Sequence, residues 1–168
     1  MNATSRLAQN MSKNAPYIIL AEDDFRHAQR LQTKLQREFP SGRIERIKSE
    51  HEFGTSLDKF ALDPPDVVVM DVMLRWAISS PDMPPCPNDV KRDGYHRAGF
   101  RCIDSLAKRD ATKKIPCVIY TVLERADLDS KFGTLPPGTR VEYLRKEADH
   151  ENLLELIGDI LKNKKSQN

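Results

Sequence analysis

The chain has 168 residues and a formal net charge of +2, with the two signs of charge well mixed. That length suits one domain with a full core, and so small a charge gives no case for a nucleic-acid partner. No apolar stretch approaches the roughly 20 residues of a membrane span, and residues 1–15 are polar with no apolar signal core. Membrane insertion and secretion are thereby disfavoured. Cys86, Cys102 and Cys117 show no paired spacing, so a cytoplasmic protein with reduced thiols is the expectation.

Residues 1–15 read as a flexible tail, closed by Pro16. Tyr17–Ala21 is the first strand. From Asp24 the pattern turns helical, with Phe25, Ala28, Leu31, Leu35 and Phe39 at three- and four-residue intervals. Pro40-Ser41-Gly42 ends that helix. Arg43–Ile47 alternates and suits an edge strand. Ser49 is placed to cap a second helix whose inner face carries Phe53, Leu57, Phe60 and Ala61. Asp63-Pro64-Pro65 breaks it. The run Val67-Val68-Val69-Met70 then reads as a strand buried on both faces, ending in Asp71.

Residues 75–98 carry Pro81, Pro84, Pro85 and Pro87 and no convincing period. Loops beyond about 12–15 residues are uncommon in compact domains and tend to be functional or disordered. The stretch is expected to recognise a partner or cover the site, and not to build the core. Helical spacing resumes at Phe100, Ile103, Leu106 and Ala107. Cys117–Thr121 is a further strand, Glu124 to Phe132 a short helix, and Arg140 to Arg145 the last strand. Leu153, Leu154, Ile157, Ile160 and Leu161 mark the last helix, with Asp149 as its candidate cap. Residues 164–168 form a polar C-terminal tail.

This is a βα alternation repeated five times, which predicts an α/β fold: a doubly wound, five-stranded parallel sheet with helices on both faces. The most apolar strands belong in the centre, and order 2-1-3-4-5 satisfies this. In such sheets the site lies beyond the carboxyl ends of the strands, where the order switches direction. Here that is between the strand ending in Glu22 and Asp23 and the strand ending in Asp71.

Four strand-like runs end in groups able to work on phosphate: Glu22-Asp23-Asp24, Asp71, Thr121 and Lys146. Carboxylates crowded at one sheet edge repel, so without a cation at least one should be harder to ionise. Mg²⁺ prefers such oxygen ligands, and a lysine adds a point charge for phosphate. Each residue also has a plainer reading. The acidic triplet suits a solvated helix N-terminus, Thr121 a strand-end β-branched residue, Lys146 a surface lysine, and Tyr143 ordinary packing. His27, His51, His96 and His150 show no metal spacing and are expected at the surface. Trp76, the only tryptophan, either anchors the long loop or meets a partner. Lys91, Arg92 and Arg97 read as a solvated basic patch.

Taken together and in order, Ile19-Leu20-Ala21-Glu22-Asp23-Asp24, Val69-Met70-Asp71, Ile115 to Thr121 and Tyr143-Leu144-Arg145-Lys146 resemble the receiver domain of two-component response regulators, over roughly Tyr17 to Asn163. Ala98-Gly99-Phe100 stands where that family has an Asp-Gly pair opening its third helix. The resemblance implies a receiver domain over residues 16–163 with an insertion at about 75–98, and a phosphorylation switch. Asp71 would accept a phosphoryl group from a histidine kinase or histidine phosphotransfer protein. Asp23 would bind Mg²⁺ directly, Glu22 through water, and the Met73 backbone carbonyl would complete the protein's share. Thr121 and Lys146 would hold the phosphoryl group, and Tyr143 is the switch aromatic. The output would be contact with an unknown downstream protein or onward phosphate transfer, by a single-domain regulator that is not an enzyme in the ordinary sense.

The sequence departs from the family in three places. The loop after Asp71 is long, Glu147 replaces the usual proline, and Val122 replaces a small residue. An aspartate-nucleophile phosphatase of the haloacid-dehalogenase type would need a second aspartate at Met73. A receiver-like module that binds partners without phosphorylation is the alternative reading.

Overall fold

The computed structural model describes residues 15–146 and 150–166. Three strands are buried at every position: β1 (Tyr17–Ala21), β3 (Val67–Met70) and β4 (Cys117–Thr121). Residues 1–14 of the tail assigned to 1–15, Glu147, the expected cap Asp149 and residues 167–168 of the C-terminal tail lie outside the described residues. The remaining strands, β2 (Arg43–Ile47) and β5 (Val141–Arg145), mix exposed and half-buried positions. All pairings are parallel and the order is 2-1-3-4-5. The alternating strands are thus the edges, and the apolar ones, which need cover on both faces, are central.

The helices are α1 (Phe25–Glu38), α2 (Glu50–Leu62), α3 (Asn88–Asp93), α4 (Ala98–Ala107), α5 (Arg125–Phe132) and α6 (Glu151–Lys165), with a 3₁₀ turn at Tyr95–Arg97. Because successive strand side chains point to opposite faces, the core divides in two. Ile18, Leu20, Val67, Val69, Val118 and Tyr120 pack with Leu31 and Leu35 of α1 and Leu153 and Ile157 of α6. Ile19, Val68, Met70, Cys117 and Ile119 pack with Phe53 and Phe60 of α2, Phe100 and Ile103 of α4, and Leu128 of α5. All three cysteines are free thiols, two of them buried. Burial pushes the Cys117 thiol up to about 12, so it behaves as a packing group and not as a nucleophile.

Two caps set helix starts next to the strand ends. The Asp24 side chain accepts from the His27 N–H at 2.6 Å, and Ser49 accepts from the Glu52 N–H at 3.2 Å. The next free donors of α2 are met by the insertion. The Glu50 N–H donates to the Arg75 carbonyl (3.0 Å) and the His51 N–H to the Trp76 carbonyl (2.8 Å).

Several expectations need correction. The 75–98 segment is not patternless, since it contains α3 and the 3₁₀ turn. Its ends also serve the fold: the first residues cap α2, Val90 is buried, and Ala98 lies in the core. Trp76 anchors this segment, with Nε1 donating to the Pro84 carbonyl (3.3 Å) and its ring 5.4 Å from that of His51. Phe25 is not on the inner face of α1; it is 65% exposed and lies under the Arg46 guanidinium at 5.7 Å. His150 is buried and His27 half-buried, against the expectation of surface histidines.

The start of α4 is packed directly on the end of β3. The Gly99 N–H donates to the Val72 carbonyl at 3.0 Å. A Cβ at Gly99 would stand 2.5 Å from the Asp71 carbonyl oxygen and 2.9 Å from the Val72 Cα, both backbone atoms. Overpacking of this kind costs about 1–3 kcal/mol, and 1 kcal/mol moves Tm by roughly 2–4 °C in a domain of this size. Gly99→Ala is therefore expected to lower Tm by roughly 2–12 °C in a calorimetric scan, while Gly54→Ala, where a Cβ meets nothing within 4 Å, leaves it unchanged or raises it.

Candidate functional site

The parallel register brings the polar ends of four strands to one edge. β1 and β3 pair up to Ala21 and Met70, and the Asp71 N–H donates to the Ala21 carbonyl at 2.9 Å. β4 and β5 pair up to Thr121 and Arg145, and the Lys146 N–H donates to the Thr121 carbonyl at 2.8 Å. Glu22, Asp71 and Lys146 thus leave the sheet one residue past the last paired position of their strands, and Thr121 at the last paired position of β4.

Lys146 is the centre of the cluster. Its Nζ stands 2.5 Å from Asp71 Oδ2 and 2.7 Å from Glu22 Oε2. Glu22, Asp71 and Thr121 are all buried. Burial by itself lowers the Lys146 pKa, but the charges of Asp71 and Glu22 outweigh it and raise it. The two carboxylates respond oppositely. Burial raises the Asp71 pKa, against the pull of Lys146. Burial would raise Glu22 too, yet the hydrogen bond from His27 and the Lys146 charge hold it at about 2. The difference is His27, whose Nδ1 lies 2.6 Å from Glu22 Oε2. Glu22 has two strong partners, whereas Asp71 has Lys146 and a 3.2 Å bond from the Met73 N–H.

The remaining expected residues sit around this cluster. The Asp23 carboxylate faces Arg75, with Nε at 3.1 Å and the backbone N–H at 3.3 Å. Thr121 Oγ1 accepts from the Leu123 N–H at 3.5 Å. The Tyr143 hydroxyl donates to the Leu123 carbonyl at 2.7 Å, and its ring meets Phe132 edge-on at 6.5 Å. Glu22, Asp71 and Lys146 are therefore in direct contact, and Tyr143 is joined to the Thr121 loop through Leu123. Among the described residues, no three His, Cys, Asp or Glu side chains stand ready-made as a metal-holding group.

Three contributors escaped the sequence reading. His27 holds Glu22. Arg46, from β2, donates to the carbonyls of Glu22 (3.0 Å) and Asp23 (3.1 Å) and so fixes the loop that carries them. Behind His27 lies His150, ring to ring at 5.2 Å, which shares a 2.6 Å bond with the buried Tyr120 hydroxyl. His150 adopts a left-handed backbone, φ 63, a conformation costing roughly 1–2 kcal/mol for a residue with a Cβ. That side-chain bond helps to hold it there. The only signal in the sequence was Tyr120 on the α1-facing side of its strand.

No family model matches the chain, and no curated protein matches it in sequence. Solved structures do. A Francisella response-regulator receiver domain is 17% identical, with 89% of this chain and 98% of that one covered at a TM-score of 0.61. The receiver domain of a DNA-binding response regulator from Colwellia psychrerythraea is 22% identical, with 88% and 98% covered and a TM-score of 0.61. This is the receiver-domain fold. A phosphorylated cyanobacterial phytochrome response regulator shares it as well, at 16% identity, 87% and 91% coverage and a TM-score of 0.58. Among the described residues, no helix is long and apolar enough to cross a membrane.

The strand ends place two buried carboxylates around one ammonium, and the two acids predict opposite pH effects. Glu22 is depressed from 4.5 to about 2, so its stabilisation is complete above about 4.5 and is lost as pH falls toward about 2. Asp71 is raised above 3.8. As pH falls through that raised value, the folded chain takes up a proton before the unfolded chain does, and stability is gained until about 3.8. The Glu22 effect is expected to dominate, at roughly 3 kcal/mol. In urea unfolding at fixed pH values, Glu22→Gln should cost about that much at pH 7 and should flatten the loss of stability between pH 4.5 and 2.

Proposed function

We propose that this chain is a phosphoryl-accepting receiver: Asp71 takes a phosphoryl group from a phosphohistidine on a kinase or phosphotransfer protein, and the change is passed to a partner protein by contact. The observation that carries this reading is a buried carboxylate, past the end of the central strand, held by the Lys146 ammonium at 2.5 Å and set beside a second, more acidic carboxylate. A structural ion pair needs one acid. A second carboxylate sharing the same lysine, with the Thr121 hydroxyl at the end of the adjacent strand, suits a site that handles a further charged group.

An Asp71 oxygen attacks phosphorus in line, the bond from phosphorus to the donor nitrogen breaks, and the electron pair leaves with the donor imidazole. Asp71 is suited to this as a nucleophile with an oxygen directed by the Met73 N–H. Lys146, which burial does not discharge, pairs with the incoming phosphoryl oxygens. The Thr121 hydroxyl accepts from Leu123, and its own proton is not used in that contact, so it serves as a donor to phosphate. Tyr143, bonded to the Leu123 carbonyl, would register any movement of that loop at the β5 edge.

The donor set of Glu22, Asp23, Asp71 and the Met73 carbonyl consists of hard oxygens and fits Mg²⁺ in its chemistry. Bound there, the ion would neutralise charge on the transferring group and align it. Glu22 and Asp71 are already oriented by Lys146 and His27, so the chain's own residues prepare two of the three carboxylates.

Asp71→Asn removes the carboxylate that burial penalises and leaves Lys146 paired with Glu22. Mg²⁺-dependent labelling by a phosphohistidine donor is expected to vanish, with Tm no lower than that of the wild type. Undiminished acid-stable labelling of the variant would place the acceptor elsewhere and remove the proposal.

The phosphorylated state should also be long-lived. Met73 and Leu123 are both half-buried beside the site, and neither can orient a water or take its proton. A positioned acid–base group is worth about 10²–10⁴-fold in rate, and one that only orients water less. Combining Met73→Asn with Leu123→Glu is expected to speed decay of the aspartyl phosphate about tenfold or more after donor removal. Fast wild-type decay, unaltered in the double variant, would contradict this.

A further inference from the structure

Asp23 is held from another direction than Glu22 and Asp71. Arg75, the first residue of the insertion, brings two donors to a single oxygen, its Nε at 3.1 Å and its backbone N–H at 3.3 Å from Asp23 Oδ2. The backbone on that side is pinned, because the Arg75 and Trp76 carbonyls cap α2. The backbone on the other side is pinned as well, because Arg46 holds the carbonyls of Glu22 and Asp23. Only the two side chains are at liberty. The Arg75 side chain is 53% exposed and lines an open cleft with Asp23, Phe25, Arg46, Lys48 and Ile78.

We propose that Arg75 is a latch on Asp23: its guanidinium and a divalent cation compete for the same carboxylate, so the insertion sets the cation affinity of the acidic pair. The inference rests on reading Glu22, Asp23 and Asp71 as a cation-holding group. A half-exposed ion pair is weak, worth about 1.4- to 5-fold in an equilibrium, so a divalent ion can displace it. Direct repulsion between the guanidinium and the ion adds to the effect. Arg75 remains charged at every working pH, so the competition does not fade as pH rises. By linkage, whatever draws the Arg75 guanidinium off Asp23 must tighten cation binding by the same factor as the cation promotes that release.

The test is Mn²⁺ binding to the full chain, read as free ion by electron paramagnetic resonance and therefore independent of any phosphorylation. Arg75→Gln is expected to bind Mn²⁺ about three- to tenfold more tightly than the wild type, and Arg75→Lys less so. Lys48→Gln removes a positive charge from the same cleft without touching the Asp23 pair, and should change affinity less than twofold. Wild-type binding left unchanged by Arg75→Gln overturns the latch and leaves the cation reading standing. Equal tightening in Lys48→Gln overturns it too, by reducing the effect to general charge. Absence of Mn²⁺ binding in both wild type and Arg75→Gln overturns the cation reading and the latch with it.

Discussion

The structure depends on one ammonium held between two buried carboxylates. Lys146 joins β5 to β1 and β3 by bonding Asp71 and Glu22 at the edge where their strands end. Taking three charges out of water costs several kcal/mol per ion, and only close geometry and further hydrogen bonds offset it. Those bonds come from His27 on one side and the Met73 N–H on the other. Removing Lys146 would leave two buried carboxylates uncompensated, a loss of about 3–5 kcal/mol, whereas neutralising Asp71 leaves Lys146 paired with Glu22. The cluster is therefore poor as a stabilising device compared with apolar packing, and better explained as a site kept ready for a charged ligand. The unequal treatment of its two acids follows. One ammonium cannot satisfy both fully, and the carboxylate with the extra histidine becomes the stronger acid. The one left harder to ionise is the candidate nucleophile.

Packing decides which parts of this edge are rigid. β1 and β3 are central and covered by helices on both faces. Gly99 brings the start of α4 against the carbonyl of Asp71 itself, a close approach that only a residue without a Cβ permits. The Asp71 backbone is thereby clamped between the sheet and the helix that closes the insertion. Arg101 of α4 ties the same region to α2 by a two-pronged pair with Glu50 at 2.6 and 2.7 Å, and also reaches the Gly94 carbonyl. The insertion is long, yet it is fastened at its root by α2 and at its end by α4.

Much of this was legible in the sequence. Apolar runs without alternation identified the central strands, and Arg43–Ile47 and Val141–Arg145 identified the edges, because burial on two faces excludes charge. Ser49 was legible as a cap because its side chain must meet an orphan donor. The strand-end acids, Thr121 and Lys146 were legible as a group because a parallel sheet gathers strand ends at one edge. Other features were not. α3 has six residues following Pro87, too short for a period to declare itself. Phe25 obeys helical spacing but lies one turn too early to reach the sheet, and Arg46 covers it instead. His27 left no trace, because its bond to Glu22 depends on how α1 leaves the strand end, and His150 left only Tyr120, thirty residues away. The role of Arg75 was equally hidden, because it depends on where the chain turns after Leu74.

The unequal burial of the two sides of the site bears on how a signal would leave it. β5 is an edge strand of half-buried and exposed positions, and α5 is short, with Leu128 its only buried residue. Elements with few buried contacts open most easily. Tyr143 and Leu123 connect these elements to the Thr121 end of β4 through a hydroxyl–carbonyl bond, and Arg125 stacks over Phe132 at 3.6 Å on the same face. Movement of the Thr121 loop toward a new anionic group would break or re-form a single hydrogen bond at Tyr143, whereas movement of Asp71 would have to displace the core. The compliant side of the sheet, β4–α5–β5, is thus the side on which a local charge change becomes a change of surface. The insertion on the opposite side is tied instead through Arg75 to the Asp23 carboxylate.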